Sequence, residues 1–371
     1  MLRLFGAQST AVGKTVENFP PQWRAAAQWK SRGAETLLAV HANTPTGLKK
    51  AAQSLRSSFG ADVYGAGDTS LAAAAVPGGG HVLNLSRMDR VLSLREQDGR
   101  FFVTAQPGVV LLNLRKMIAS RRFETAGWDE QSLAALEALK DAPEQFFPTD
   151  PTETTASIGG MTACNASGAR SYLYGPMRRH VTALRGVLAD GRVFSLRRGQ
   201  CFADGLRFRL PLADGSFVEG SLPDYHMPQC KNASGYFIAP GMDLLDLLIG
   251  SDGTLAVVTA VELALMPLPN VIWGATCFFP SEQSAAQFTE KVRADMKNIA
   301  ALEYFDARAM DILREQRAAG GVFARLPDPG GMGAAAIYAE LHCASEAEAL
   351  DGLRTLAALS TAAGGEPGRA G

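Results

Sequence analysis

Residues 146–175 read FFPTDPTETTASIGGMTACNASGARSYLYG, and this stretch determines how the rest of the chain is interpreted. It consists of small residues, turn formers and paired glycines, with few charges. Apolar residues recur at helical spacing from Ile158 onward, which predicts a short helix starting near Ser157. Gly159 and Gly160 fall in its first turn, where glycine weakens a helix. Such glycines are typical of backbone that closely approaches a flat or phosphorylated ligand. The alternative is a connecting loop rich in glycine and serine.

The order of motifs in this stretch resembles the central motif of FAD-linked oxidases of the vanillyl-alcohol oxidase type. The most similar group is that of the D-lactate dehydrogenases and glycolate oxidase flavin subunits. In that family a Pro-x-Asp-Pro turn leads into Ile-Gly-Gly-Met, then Asn-x-Ser-Gly, then Tyr-Gly. Here these motifs occupy residues 148–151, 158–161, 165–168 and 174–175. The resemblance implies an FAD whose isoalloxazine ring lies over this backbone.

An earlier loop at 65–77 resembles the family's first flavin loop. It begins Gly-Ala-Gly-Asp-Thr-Ser-Leu, and its backbone N–H groups and hydroxyls suit a pyrophosphate. Two glycines of the family pattern are Ala73 and Ala74 here, and a Cβ at each takes up space where backbone meets phosphate. The loop contains no His or Cys, so the FAD is expected to be noncovalent. The alternative is a solvent-exposed loop that follows a strand.

Four further motifs match the family in order. They are Asn-Leu-Ser-Arg-Met at 84–88, Gln-Pro-Gly at 106–108, Lys-Asn-x-x-Gly-Tyr at 231–236 and Gly-Ser-Asp-Gly-Thr-Leu at 250–255. Carried over residue by residue, the resemblance implies a set of cofactor-binding residues in the two loops, the Gln-Pro-Gly turn and a late strand. These are Ala66, Gly67, Asp68, Thr69, Ser70, Leu71, Pro107, Gly108, Pro148, Asp150, Ser157, Gly159, Gly160, Asn165, Ser167, Gly168, Tyr174, Gly175 and Val258.

The pattern of strands, hairpins and helices predicts an α+β fold. Asp-Gly pairs at 190–191 and 214–215 predict two hairpins, and Ser345 with Glu348 predicts a capping box. The resemblance implies a two-subdomain, PCMH-type FAD-binding domain followed by a partial α+β (ferredoxin-like) cap domain. The predicted divisions are an N-terminal arm at 1–35, the FAD-binding domain at 36–269 with subdomains at about 36–107 and 146–269, and the cap at 270–371.

The cap is expected to be incomplete, because a tail rich in Gly and Ala follows its last predicted helix. We therefore expect the strand at 335–342 to keep an unpaired edge or an uncovered apolar face. In lactate-type members, paired histidines and an acidic residue of the late cap serve with a metal, so no catalytic residue is carried over. The five histidines show no metal-binding spacing, and no metal site is predicted. Arg170, Arg178, Arg179 and His180 are interpreted as a basic surface cluster, with anion binding as the alternative.

Composition excludes several classes of protein. The 371 residues carry a net charge of −1, which gives no field that favours nucleic acid. No apolar run is long enough to span a bilayer. The five cysteines are widely spaced, which favours reduced thiols and a cytoplasmic location, with a peripheral position at the membrane as the alternative.

The resemblance implies an FAD-dependent oxidoreductase that oxidises a small 2-hydroxy acid by hydride transfer to flavin N5. Its electron acceptor (a quinone, a cytochrome or an electron-transfer protein) is left open. The second hypothesis is a flavin-binding but catalytically incomplete chain that needs a partner subunit or self-associates. The third is a nucleotide-binding protein that uses Gly13-Lys14-Thr15, although Gln8 stands where a phosphate-binding loop requires glycine.

Overall fold

The computed structural model describes residues 7–11, 38–42, 81–230, 232, 235–321, 324 and 334–367. Its helices are α1 (Leu111–Ser120), α2 (Glu130–Asp141), α3 (Ile158–Ala163), α4 (Ser171–Tyr174), α5 (Leu245–Leu248), α6 (Glu282–Asp295), α7 (Ala307–Ala319) and α8 (Glu346–Ala362). Its strands are β1 (Ala7–Ala11), β2 (Leu38–Ala42), β3 (His81–Asn84), β4 (Val91–Gln97), β5 (Arg100–Ala105), β6 (Gln145–Phe146), β7 (Val181–Leu188), β8 (Val193–Arg197), β9 (Arg207–Pro211), β10 (Phe217–Ser221), β11 (Ala256–Ala264), β12 (Met266–Pro267), β13 (Val271–Phe279), β14 (Ile299–Asp306), β15 (Ala335–Cys343) and β16 (Glu366–Pro367).

The chain divides into two compact units. Unit 1 comprises residues 1–166 and 176–267, and unit 2 comprises residues 167–175 and 268–371. The boundary at 167–175 means that the second half of the central motif, including α4, belongs to unit 2.

Unit 1 is built on an antiparallel five-stranded sheet of order β4-β5-β11-β7-β8. The central strand β11 is an almost continuous apolar run and is buried along most of its length, as expected of a strand flanked on both sides. Helix α1 buries Leu111, Leu114 and Ile118, and it ends at Arg121 in the left-handed conformation, with φ of 56°. Helix α2 forms from a segment to which the sequence assigned no role, and Asp129 caps it by accepting a hydrogen bond from Ser132 N–H.

Unit 1 also contains smaller sheets. Strands β1 and β2 pair antiparallel, and β2 and β3 pair parallel. The two predicted hairpins are confirmed as β7–β8 and β9–β10. Gly191 and Gly215 have φ of 84° and 82°, a left-handed conformation that side chains disfavour.

Unit 2 is an antiparallel sheet of order β14-β15-β13-β16 with helices packed on it. The predicted strand at 335–342 is β15, and it lies inside the sheet, paired with β13 on one side and β14 on the other. Eight of its nine residues are buried. The expectation of an unpaired edge or uncovered face on this strand is therefore wrong, because β14 extends from Ile299 to Asp306 and covers the edge.

The predicted capping box of α8 is confirmed in its first half. Ser345 accepts a hydrogen bond from Glu348 N–H at 3.2 Å. The Glu348 carboxylate reaches back to the N–H of Ala344 rather than to that of Ser345. None of the described helices is long and apolar enough to cross a membrane.

Candidate functional site

The predicted helix start near Ser157 is confirmed, and backbone hydrogen bonds join it to the Gln-Pro-Gly turn. Gly159 N–H donates to the Pro107 carbonyl at 2.8 Å, and Ile158 N–H donates to the Val109 carbonyl at 2.8 Å. The Ser157 side chain caps α3 by accepting from Gly160 N–H at 3.2 Å. Two motifs that lie about 50 residues apart in the sequence thus form one rigid backbone surface.

Glycine is required at two positions on this surface. A Cβ on Gly159 would lie 2.4 Å from the Cβ of Pro107 and 3.0 Å from its carbonyl oxygen. A Cβ on Gly108 would lie 2.6 Å and 2.8 Å from the carbonyl oxygens of Leu85 and Met88. Both glycines therefore allow segments of backbone to pack directly against each other. We call residues 107–109 and 157–160 the glycine cradle.

The far end of α3 is fixed by a residue in the left-handed conformation and by a neighbouring loop. Asn165, just after the helix, has the left-handed conformation, with φ of 49°. Its side-chain oxygen accepts from Arg178 N–H at 3.0 Å. Gly250 N–H donates to the Thr162 carbonyl at 3.0 Å, so the Gly-Ser-Asp-Gly-Thr motif satisfies a carbonyl near the C-terminus of the helix.

The Pro-Thr-Asp-Pro turn is held by α1. Arg115 donates to the Thr149 carbonyl at 3.0 Å and forms an ion pair with Asp150 at 2.8 Å. The hydroxyl of Thr149 is fully buried and has no hydrogen-bond partner among the described residues. The side-chain amide nitrogen of Asn84, in the Asn-Leu-Ser-Arg-Met motif, is likewise buried without a partner there.

Unpaired buried polar groups are uncommon because each loses its hydrogen bonds to water. Two of the three in the described part of the chain, those of Asn84 and Thr149, fall in motifs that match the flavin family. These two groups fit a polar cofactor that would pair with them. The residues of unit 1 are therefore compatible with FAD.

The interpretation of Arg170, Arg178, Arg179 and His180 as a basic surface cluster is wrong, because the four side chains lie in different environments. Arg178 pairs with Asp246 at 3.2 Å, and burial lowers its pKa while Asp246 raises it. His180 is buried, and its ring meets that of Phe147 edge-on. Arg179 alone is exposed. Arg170 belongs to unit 2, where it pairs with an acidic side chain.

Arg178→Gln is expected to destabilise unit 1 by about 3 kcal/mol, because it leaves the half-buried carboxylate of Asp246 with less compensation. Arg179→Gln, at the exposed neighbouring position, is the matched control and should change stability by less than about 0.5 kcal/mol. Urea unfolding of both variants measures the difference. If the two variants unfold at the same urea concentration, the Arg178 ion pair contributes nothing to the stability of the fold.

The predicted cofactor-binding residues fall into three groups. Those in unit 1 are Pro107, Gly108, Pro148, Asp150, Ser157, Gly159, Gly160, Asn165 and Val258. Those in unit 2 are Ser167, Gly168, Tyr174 and Gly175. Residues 66–71 lie outside the described residues, as does Lys231 of the Lys-Asn-x-x-Gly-Tyr motif, which is not one of the predicted binding residues. The role of each residue in binding FAD stays a prediction.

Unit 2 contains a polar cluster that was not predicted from the sequence. Tyr174 and Arg170 of the central motif contact His342 and Glu340 of β15, both of them buried. The alternation of polar residues in Tyr-Ala-Glu-Leu-His, within an otherwise apolar strand, was the available signal. No group of three His, Cys, Asp or Glu side chains in the described residues is placed to hold a metal ion.

Comparison with known proteins shows which domain and which fold this chain resembles. Residues 131–197 match the protein family described as FAD binding domain. The fold is that of alkyldihydroxyacetonephosphate synthase, with a TM-score of 0.60 and 13% identity over 89% of this chain and 51% of that one. It is also that of the glucooligosaccharide oxidase of Acremonium strictum, with a TM-score of 0.55 and 12% identity over 91% of this chain and 52% of that one. This chain therefore shares its fold with these two proteins, and its residues 131–197 are similar to FAD binding domains.

Curated proteins with similar sequences include D-lactate dehydrogenases and a glycolate oxidase subunit. A probable mitochondrial D-lactate dehydrogenase of Danio rerio is 32% identical over 62% of this chain and 34% of its own length. A D-lactate dehydrogenase of Archaeoglobus fulgidus is 34% identical over 45% of this chain and 29% of its own length. Glycolate oxidase subunit GlcD of Bacillus subtilis is 26% identical over 64% of this chain and 38% of its own length. The chain thus spans about a third of the length of the curated relatives it matches.

Proposed function

We propose that the chain binds FAD noncovalently and oxidises a small 2-hydroxy acid at its CH–OH group. The observation that carries the proposal is the glycine cradle, with the unpaired hydroxyl of Thr149 in the adjoining motif. The match of residues 131–197 to FAD binding domains supports the cofactor, and the D-lactate dehydrogenases and glycolate oxidase subunit among the relatives support the substrate class.

The residues of unit 1 contribute binding and orientation. In the proposed complex, the ring system of FAD lies over the backbone of the glycine cradle, whose two glycines let residues 107–109 and 157–160 pack directly against each other. Arg115 keeps the Pro-Thr-Asp-Pro turn in place beside it. When bound, FAD supplies the two-electron acceptor for a hydride from the α-carbon of the substrate. We propose that unit 1 is the FAD-binding domain and that unit 2 is the cap.

Flavin reduction tests the substrate class. The chain is reconstituted with FAD, freed of unbound cofactor and mixed anaerobically with D-lactate, glycolate or 2-hydroxyglutarate. We expect one of these acids to bleach the flavin absorbance with a saturable rate constant. A chain that retains FAD but is reduced by none of the three would contradict the proposed activity.

Partner, acceptor and location belong to the same proposal. We propose that the reduced flavin passes its electrons to a quinone, a cytochrome or an electron-transfer protein. In an assay, a redox dye can replace each of these acceptors. A partner subunit or self-association is the alternative route to full activity. A cytoplasmic location is supported by the five cysteines, none of which forms a disulfide.

A further inference from the structure

The five-stranded sheet of unit 1 has one apolar face and one polar face. Val103, Leu184 and Leu263 of its strands join the apolar core. Successive residues of a strand point to opposite sides, so Thr104 and Glu262, which are paired across β5 and β11, lie on the other face. A cavity of about 580 Å³ lies over this polar face, and helix α2 contributes to its walls. Its volume is in the range of small-molecule sites.

The floor of the cavity is organised around one buried carboxylate. Glu262 is 6% exposed, although its neighbours on this face are polar. Arg197 donates to both of its carboxylate oxygens, at 2.6 and 3.0 Å, and Arg95 donates to them at 2.9 and 3.3 Å. The guanidinium of Arg95 also lies 3.9 Å from the centroid of the Phe102 ring. Two guanidinium groups are therefore held in fixed positions on the floor.

The carboxylate of Glu262 has no capacity for a further donor. It also accepts from the Thr182 hydroxyl at 2.7 Å, so that the donors already equal or exceed its lone-pair positions. A guanidinium has five N–H donors, and Arg197 uses two of them on Glu262. The other donors of Arg197 have no partner in the part of the chain that the structure describes.

Arg185 is a third cation on the same face. It is exposed, and its side chain forms no hydrogen bond or ion pair with another described residue. Its neighbours across the sheet are Ser195 on β8 and Ala260 on β11. Both are small and leave open space beside the guanidinium. Because Glu262 is already saturated, the charge of Arg185 is available to a ligand.

Two exposed carboxylates also line the cavity, those of Glu96 and Asp129. Each accepts from a backbone N–H, Glu96 from Gly99 at 2.6 Å and Asp129 from Ser132 at 2.8 Å. The floor thus has three arginines against one carboxylate, while these two carboxylates lie on β4 and at the start of α2. They would repel a ligand that is negatively charged at both ends, so the charge of the ligand must be concentrated at one end.

Hydroxyl groups occupy the rest of the floor. The side chains of Ser93, Thr104 and Ser195 line the cavity, and Ser93 is paired with Thr104 across β4 and β5. None of the three hydroxyls makes a side-chain hydrogen bond to another described residue. Each can donate one hydrogen bond and accept others. They therefore suit a ligand body that carries hydroxyl groups of its own.

We propose that this cavity binds a phosphorylated sugar or polyol, with its phosphate group on Arg185 and the free donors of Arg197 and its hydroxyl groups towards β4 and α2. A phosphate monoester carries about −1.5 to −2 charges at neutral pH, which offsets the excess of two positive charges on the floor. Arginine binds phosphate through two parallel N–H donors. The cavity contains no residue of the glycine cradle, so this proposal does not depend on the proposed function.

A polar face that is only hydrated differs from this one in two respects. One face of an antiparallel sheet often lies in water, but exposed charged side chains there are long and mobile. Here Glu262 is buried and holds two guanidinium groups in place before any ligand arrives. Such preorganisation lowers the entropic cost of binding an anion.

Isothermal titration calorimetry tests the ligand class on the chain with and without added FAD. The titrants are inorganic phosphate, glycerol 3-phosphate, ribose 5-phosphate and glucose 6-phosphate, with glucose and succinate as controls. We expect at least one phosphate ester to bind one per chain, about tenfold or more tighter than inorganic phosphate, glucose or succinate. The proposal is overturned if no ester binds, or if inorganic phosphate or succinate binds as tightly as the best ester.

Arg185→Gln tests the position of the phosphate group, with Arg179→Gln as the matched control. Arg179 is also exposed and lies in unit 1, but it does not line the cavity. Arg185→Gln should weaken binding of the best ester by about 10- to 100-fold, and Arg179→Gln should change it by less than about twofold. Since Arg185 has no partner to lose, its variant should unfold at the urea concentration of the wild type. Equal affinities of the two variants would contradict the assignment.

Chemical modification locates the ligand without any substitution. Phenylglyoxal reacts with accessible arginine side chains, and mass spectrometry of the digested chain gives the rate at each position. A saturating concentration of the best ester should slow modification of Arg185 by about fivefold or more and leave that of Arg179 unchanged. If Arg185 reacts equally fast with and without the ester, the ligand binds elsewhere and the proposal fails, whether or not the chain binds FAD.

Discussion

Gly159→Ala is expected to weaken FAD binding by about 10- to 100-fold. The added methyl group would lie 2.4 Å from the Pro107 Cβ and 3.0 Å from Pro107 backbone atoms, which cannot rotate away. Overpacking of this kind costs about 1–3 kcal/mol, and each 1.4 kcal/mol is a factor of ten in affinity. The Gln-Pro-Gly turn must shift, and the glycine cradle shifts with it. Titration of apoprotein with FAD, followed by fluorescence, measures the change in dissociation constant.

Gly220→Ala is the matched control for this substitution. Gly220 lies in β10, is exposed, and its added methyl group would meet only the half-buried ring of Phe208, at 2.9 Å. A ring can turn where a backbone cannot, so FAD affinity should change by less than about threefold. If the two alanine variants bind FAD equally well, the cofactor does not depend on the contact between Gly159 and Pro107.

Glu262→Gln is expected to destabilise unit 1 by about 3 kcal/mol, because it removes the buried carboxylate with which two partly exposed arginines pair. Glu262 lies on β11 and is 6% exposed. It accepts from Arg197 at 2.6 and 3.0 Å, from Arg95 at 2.9 Å and from Thr182 at 2.7 Å. Burial raises its pKa, but these hydrogen bonds outweigh it and lower the pKa from 4.5 to about 2. Urea unfolding at neutral pH measures the loss.

The same pKa sets the pH dependence. Because the pKa of Glu262 is lower in the folded chain than in the unfolded one, its stabilising contribution is present above about pH 4.5 and is lost as the pH falls towards 2. The shift corresponds to about 3 kcal/mol, which Glu262→Gln should remove from the acid limb of a stability profile. Glu340 of unit 2 also has a lowered pKa. The Glu262→Gln variant therefore still loses some stability as the pH falls towards 2.

Glu219→Gln provides the control for this experiment. Its carboxylate pairs with Arg209 at 2.8 Å on the surface hairpin, and both side chains are 62% exposed. An exposed ion pair is worth less than about 1 kcal/mol, so stability should be nearly unchanged at every pH. A Glu262→Gln variant as stable as Glu219→Gln would show that the buried carboxylate contributes nothing.

Features governed by neighbouring residues could be predicted from the sequence. The Asp-Gly turns, the Ser157 cap and the start of α8 depend on two to four residues, and the structure has each of them. The extent of β14 could not be predicted, because its pairing with β15 across the sheet, rather than its own pattern, extends it to Ile299.

Contacts between distant residues explain what was missed at the site. Arg178 looked like a surface charge because its partner Asp246 lies 68 residues away. The Tyr174 and His342 pair spans 168 residues. No local pattern relates such positions, so the resemblance identified the backbone of the central motif but not the side chains that it meets in unit 2.

The FAD content of the protein tests the central claim most directly. The purified chain is incubated with excess FAD, passed through a desalting column and precipitated with acid, and the flavin in the supernatant is quantified against protein. We expect one FAD released per chain, which also shows that the attachment is noncovalent. A colourless protein that takes up no FAD, or flavin that stays with the acid precipitate, would contradict the account.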